Sequence, residues 1–150
     1  MSQFSSNGVS QGVGEIFPTA LVPESLLVPQ RILLVEDRPL LQELFRCSFE
    51  GENIEIHASN DGRKALETFI NQPFDIVVTE LAIPGISGTH LAKLVKAHRP
   101  GTPVIILTGF CGETMPSLVE TKEVDGIIYK PFKPSKLKST IRDVMLMVDG

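Results

Sequence analysis

Three carboxylates, one hydroxyl and one ammonium stand where they can handle a cation and a phosphoryl group: Glu36, Asp37, Glu80, Thr108 and Lys130. Each closes or follows a short aliphatic run. Glu36-Asp37 come after Ile32-Leu33-Leu34-Val35, and Glu80 comes after Ile76-Val77-Val78. Thr108 ends Val104-Ile105-Ile106-Leu107, and Lys130 follows Ile127-Ile128-Tyr129. Hard oxygen ligands suit Mg²⁺, which keeps several waters and takes one or two carboxylates. A hydroxyl and a lysine would bind phosphoryl oxygens, the lysine as a point charge. The plainer reading is an acidic edge neutralised by Lys130 with no metal. Against it, three carboxylates facing one ammonium leave repulsion that a weakly held Mg²⁺ would relieve.

The elements that must position these groups alternate in type. Runs of three or four apolar residues are too short for helices and suit strands buried on both faces. Ile54-Glu55-Ile56-His57 alternates instead, like a more exposed strand. Between the strands lie helical stripes: Leu41, Leu44, Phe45 and Phe49; Ala65, Leu66, Phe69 and Ile70; Leu91, Leu94, Val95 and His98. A closing stripe runs through Leu137, Ile141, Val144, Met145 and Val148. Pro39 sits where a first turn tolerates it, Asn60 or Asp61 can cap the second helix, and Gly51 and Pro100-Gly101 end helices. The weakest element lies between Glu113 and Glu123, where Pro116 permits only a helix starting near Met115. Strand and helix five times over imply a doubly wound α/β fold with a five-stranded parallel sheet. Ligands of such sheets gather outside the carboxyl ends of the strands, so the polar groups would share one edge.

The chain has 150 residues, enough for one domain with a sizeable core. We divide it into an N-terminal arm, residues 1–29, and a domain, residues 30–150. The arm is Ser-, Gln- and Gly-rich up to Gly14. It then carries Phe17, Leu21, Val22, Leu26, Leu27 and Val28, interrupted by Pro18, Pro23 and Pro29. It reads as a flexible arm or as a short docking peptide. A net charge of −4 without a basic run does not support direct nucleic-acid binding. No stretch is apolar enough for a membrane span, no leader pattern opens the chain, and Cys47 and Cys111 have no metal-ligand spacing, so a cytoplasmic protein is expected. His57, His90 and His98 are isolated and receive no ligand role.

Taken together, these segments resemble the receiver domains of two-component response regulators, from about Arg31 to Val148. RILLVED is similar to the family's first strand and acid pair, and FDIVVTELAIPGISG to its third strand, phosphorylated position and Pro-Gly loop. VIILTGF is similar to the strand with the switch hydroxyl, and IIYKPF to the lysine-proline motif. Chain order agrees as well, with gaps of 43, 28 and 22 residues between Asp37, Glu80, Thr108 and Lys130. The resemblance implies a flavodoxin-like (βα)₅ fold with strand order 2-1-3-4-5. It also implies Mg²⁺ held by Glu36, Asp37, Glu80 and the carbonyl of Ala82, phosphoryl contacts from Thr108 and Lys130, and a cis Lys130–Pro131 bond. Partners would be a histidine kinase, a phosphotransfer protein or a downstream effector, met through the face formed by residues 110–148.

Two positions depart from that pattern. The acceptor is Asp in the family and Glu80 here. Asp75 is no substitute, lying five residues upstream and about 16 Å away along the strand. Glu80 is one methylene longer, which displaces its oxygens by about 1.5 Å, and misplacement of about 1 Å can cost two orders of magnitude in rate. The family's inward-turning Tyr or Phe is Ile127 here, and Tyr129 is expected to face the opposite way. These departures give a stand-alone, receiver-like signalling module that binds a protein partner without phosphorylation and is not an enzyme. Two alternatives stay open: a receiver that accepts phosphate on Glu80 from a histidine kinase, and an ordinary receiver carrying an engineered Asp-to-Glu phosphomimetic change. A flavin or hydrolase use of the fold lacks support, because no Gly-rich loop follows the first strand and no nucleophile–base pair is present.

Overall fold

A computed structural model describes residues 30–109 and 122–149. Its strands are β1 (Gln30–Val35), β2 (Ile54–Ser59), β3 (Ile76–Glu80), β4 (Val104–Thr108) and β5 (Gly126–Tyr129). The helices among the described residues are α1 (Pro39–Ser48), α2 (Gly62–Asn71), α3 (Gly88–His98) and α4 (Pro134–Asp149). All strand pairs are parallel and the order is β2-β1-β3-β4-β5, as expected. The arm and the helix expected near Met115 lie outside the described residues.

Period-two alternation divides the core into two layers. Ile32, Leu34, Val78 and Leu107 pack with Phe45 of α1 and Leu137 and Ile141 of α4. Leu33, Val35 and Val77 pack on the other face with Ala65 and Phe69 of α2 and Leu91 and Val95 of α3. Because β1, β3 and β4 are covered on both faces, their sequences are continuous aliphatic runs rather than alternating ones. β2 lies at the edge and alternates between half-buried and exposed residues.

Local signals explain the helix ends. Pro39 opens α1, and Asp61 caps α2 by accepting hydrogen bonds from the N–H groups of Arg63 and Lys64 at 2.8 and 3.1 Å. Ser87 caps α3 through the N–H of His90. Two stripes are narrower than the sequence suggests. Leu44 is exposed, and Ile70 is 43% exposed, although both belong to the expected apolar faces. Helical periodicity marks a side; the neighbouring elements decide how much of that side is covered.

Two features tie the frame down. The Gly88 N–H donates to Leu81 O at 2.8 Å, and a Cβ on Gly88 would meet Glu80 O at 2.5 Å. Gly88→Ala is therefore expected to push back the backbone that follows Glu80 and to cost about 1–3 kcal/mol. Urea unfolding measures this, and a variant as stable as the parent would refute the close approach. At the other end of the molecule, Glu52 pairs with Lys138 at 2.6 Å and Arg142 at 2.8 Å, joining the α1–β2 loop to α4. The Lys138 hydrogen bond, reinforced by the charges of Lys138 and Arg142, holds the Glu52 carboxyl below its ordinary value of 4.5. Its contribution, at most about 1 kcal/mol, is thus present above that value and lost as pH falls through the lowered one. Unfolding free energies of Glu52→Gln and parent should converge at acid pH and separate near neutrality.

Candidate functional site

The carboxyl ends of β1, β3, β4 and β5 form one edge, and three of the expected residues meet there around a single ammonium. Lys130 Nζ donates to Glu36 Oε1 at 2.9 Å and also to Glu80 Oε1. The three side chains are 10%, 1% and 9% exposed. Glu36 keeps its other oxygen on the N–H of Arg38 at 3.0 Å, just ahead of α1, while Gln42 Nε2 donates to the Glu36 carbonyl. The second oxygen of Glu80 accepts from the N–H of Leu81 at 2.6 Å. The carboxylate thus turns back onto its own backbone, which its extra methylene allows. All four carboxylate oxygens have a donor, so two buried acids are held at close quarters by one lysine.

The backbone supports this arrangement. The Lys130 N–H donates to Thr108 O at 2.8 Å, setting the lysine beside β4, and the next peptide bond, Lys130–Pro131, is cis as the resemblance implied. Behind Glu80, the Leu81 N–H also reaches Leu107 O at 3.3 Å. Pro84 O accepts from the N–H of Gly62, and Gly85, at φ +95°, turns against Asp61. That φ lies in the left-handed region and the Asp61 carboxylate leaves no room for a Cβ, so the loop requires glycine twice over.

A cleft of about 530 Å³ opens over the ammonium, lined by Asp37, Glu80, Ala82, Gly109, Lys130 and Pro131, with Arg38 and Leu41 at one side. Asp37 is exposed, and Glu36 is buried outside the lining. Thr108 is fully buried at the end of β4 and also outside the lining. No group of three or more His, Cys, Asp or Glu stands ready to hold a metal among the described residues, and Lys130 bridges Glu36 and Glu80. Two carboxylates of one cleft, Asp37 and Glu80, with the backbone of Ala82 beside them, still make a donor set of the size Mg²⁺ uses. Arg38 was not singled out from the sequence. Its position directly after the acid pair was the available signal.

Ile127 packs half-buried against Ile106, with Leu81 and Val124 close by. The expectation that Tyr129 faces the opposite way needs correction. Residues two apart on a strand share a face, and Ile128 between them is the one that enters the α1–α4 core. Tyr129 therefore lies on the side of Ile127 and is 47% exposed at the strand end. Asp75 sits at the opposite end of β3, as expected, and accepts from the N–H of Arg31 at 2.6 Å. His57, His90, His98 and Cys47 are exposed and not part of the cleft lining, while Cys111 lies outside the described residues.

Comparison with known proteins agrees with this fold. A family model described as the response regulator receiver domain matches residues 32–142. The DNA-binding response regulator MtrA of Mycolicibacterium smegmatis is 31% identical over 113 residues, which are 75% of this chain and 49% of that protein. The regulatory protein AtoC of Escherichia coli is 29% identical over 113 residues, which are 75% of this chain and 24% of that protein. The chain thus spans about half the length of MtrA or less of such relatives. Among solved structures, a CheY-like receiver domain protein from Methanospirillum hungatei superposes with a TM-score of 0.74 at 23% identity, covering 81% of this chain and 97% of that one. The receiver domain of the sensor histidine kinase PA1611 from Pseudomonas aeruginosa, which has a magnesium ion in its active site cleft, gives 0.70 at 21% identity, covering 82% and 100%. Both share the fold. With the family model extending from β1 into α4 and the acid–lysine cluster at the sheet edge it leads to, the chain belongs to the response regulator receiver domains of two-component signalling.

Proposed function

We propose that this receiver works as a signalling module that binds a protein partner without being phosphorylated at position 80. The observation that carries the reading is the state of Glu80: its carboxylate is folded onto the Leu81 N–H and engaged by Lys130. An acceptor must present a free oxygen in line with the incoming phosphorus, and small displacements are costly. Ile127 adds to this, because a half-buried aliphatic side chain has neither the ring nor the hydroxyl of the family's switch residue. A ligand moves an equilibrium only through differential affinity for its two states, so a chain lacking covalent ligand and switch ring holds one dominant conformation. Lys130 with Thr108 would keep that conformation close to an active-like one, although a carboxylate carries less charge than a phosphoryl group.

The partner face is assigned to residues 110–148, of which residues 110–121 lie outside the described residues. Its occupant would be a histidine kinase, a phosphotransfer protein or a downstream effector. Mg²⁺, held weakly by Asp37, Glu80 and the Ala82 carbonyl, with Glu36 behind, would supply positive charge against the acidic edge. The setting is assigned to the cytoplasm; no helix among the described residues is long and apolar enough to cross a membrane. Incubation of the parent with an acyl phosphate and Mg²⁺, followed by intact-mass analysis, tests the reading. No phosphoryl adduct is expected. An adduct localised to Glu80 would instead establish the phospho-accepting alternative.

A further inference from the structure

A second concavity lies away from the sheet edge, between α2 and α3. It measures about 410 Å³; Leu66, Ile70, Ile86 and Leu94 supply its apolar lining, and Arg63, Glu67, Asn71 and His90 its polar lining. Ile70, expected to be covered, stands 43% exposed there, and the other three are half-buried. We propose that residues 21–28 of this same chain dock into this groove.

The entry point of the chain supports this occupant. Arg31 is tied to the end of α2: its guanidinium donates to Gln72 Oε1 at 2.9 Å and to Pro73 O at 2.7 Å. Gln72 directly follows Asn71, which lines the groove. The twenty-nine residues that precede Gln30 therefore join the domain next to a residue whose side chain is tied to the end of α2. From Gln30 back to Glu24 an extended chain spans about 20 Å. The stretch of α2 from Asn71 to Arg63 rises about 12 Å. The reach is sufficient, with length left to cross from β1 to the helix.

Sequence and charge agree with that register. Alternate residues of an extended segment share a face, so Val28 and Leu26 would fall alongside Ile70 and Leu66, and Val22 would reach Ile86. Glu15 and Glu24 are the only charged side chains in residues 1–29, and Glu24 would arrive near Arg63. Pro23 and Pro29 bias Val22 and Val28 towards extended backbone, which lowers the ordering cost of laying the segment along a helix. Ile86 belongs to the loop that follows Glu80, so a docked segment would touch the same loop that carries Ala82.

Hydrogen exchange on the full-length chain, followed by mass spectrometry at two protein concentrations, tests this directly. In Leu26→Ser/Leu27→Ser, exchange in residues 63–71 and 88–95 should rise about fivefold or more over the parent. Ile70→Ser should produce the same pattern. Glu24→Lys and Arg63→Glu should each raise exchange there, and the combined swap should restore protection, which a merely structural role for either residue would not. Unchanged exchange in the double-serine variant would overturn the proposal. So would parental protection that fades on dilution while sedimentation reports a dimer, since the groove would then be covered by a second copy.

Discussion

Glu80→Asp is expected to turn this chain into one that accepts a phosphoryl group, raising the rate of adduct formation from an acyl phosphate at least about a hundredfold. In the parent, the longer side chain lets one carboxylate oxygen reach the Leu81 N–H at 2.6 Å while the other meets Lys130. Removing one methylene withdraws the carboxylate by about 1.5 Å and breaks that self-contact. An aspartate oxygen could then attack phosphorus while the bond to the departing acyl carboxylate breaks, with Lys130 already placed beside the transferred oxygens. Intact mass against time, with Mg²⁺ present, gives the rate for both proteins. An aspartate variant as inert as the parent would mean that the methylene is not the obstacle and that the closed Glu36–Lys130 pair, or Ile127, blocks the chemistry instead.

Lys130→Ala is expected to carry the largest stability cost among the site residues, about 3 kcal/mol, because it leaves two nearly buried carboxylates facing each other without their shared cation. The loss should be selective. Replacing Glu80 by Gln in the same molecule removes one of the two charges, so Lys130→Ala/Glu80→Gln should recover a good part of the stability; the excess over additivity measures the coupling. Added Mg²⁺ should stabilise Lys130→Ala more than the parent, since the divalent ion would no longer share Glu80 with an ammonium. Urea titrations of the four proteins of the cycle decide the matter. Strict additivity would mean that Lys130 acts through packing of its aliphatic stem rather than through its charge.

The legibility of this protein in its sequence was uneven, for physical reasons visible in particular residues. Runs such as Ile76-Val77-Val78 can be read because a strand covered on both faces must be apolar at every position. Polar groups directly after such runs can be placed at one edge because parallel strands all end on the same side. Hence Glu36, Glu80 and Lys130 were found by position alone, and their meeting follows from the order β2-β1-β3-β4-β5. Tyr129 shares the face of Ile127 because residues two apart on a strand point the same way, which residue order alone already dictates. Leu44 and Ile70 are different: no local pattern states whether a neighbouring helix will cover a given stripe position.

By itself, then, the sequence determined the fold class and the set of polar residues, Glu80 among them, that closes the strands at one sheet edge, since each depends on residue type and order along the chain. Only the tertiary structure decided what the acids do with their charge. It placed one ammonium between Glu36 and Glu80, left Asp37 exposed in the cleft, buried Thr108 outside the lining, and opened a groove at Ile70. Those outcomes depend on distances of a few ångströms between groups up to 94 residues apart in the chain, and such distances are set by packing rather than by any local pattern of residues.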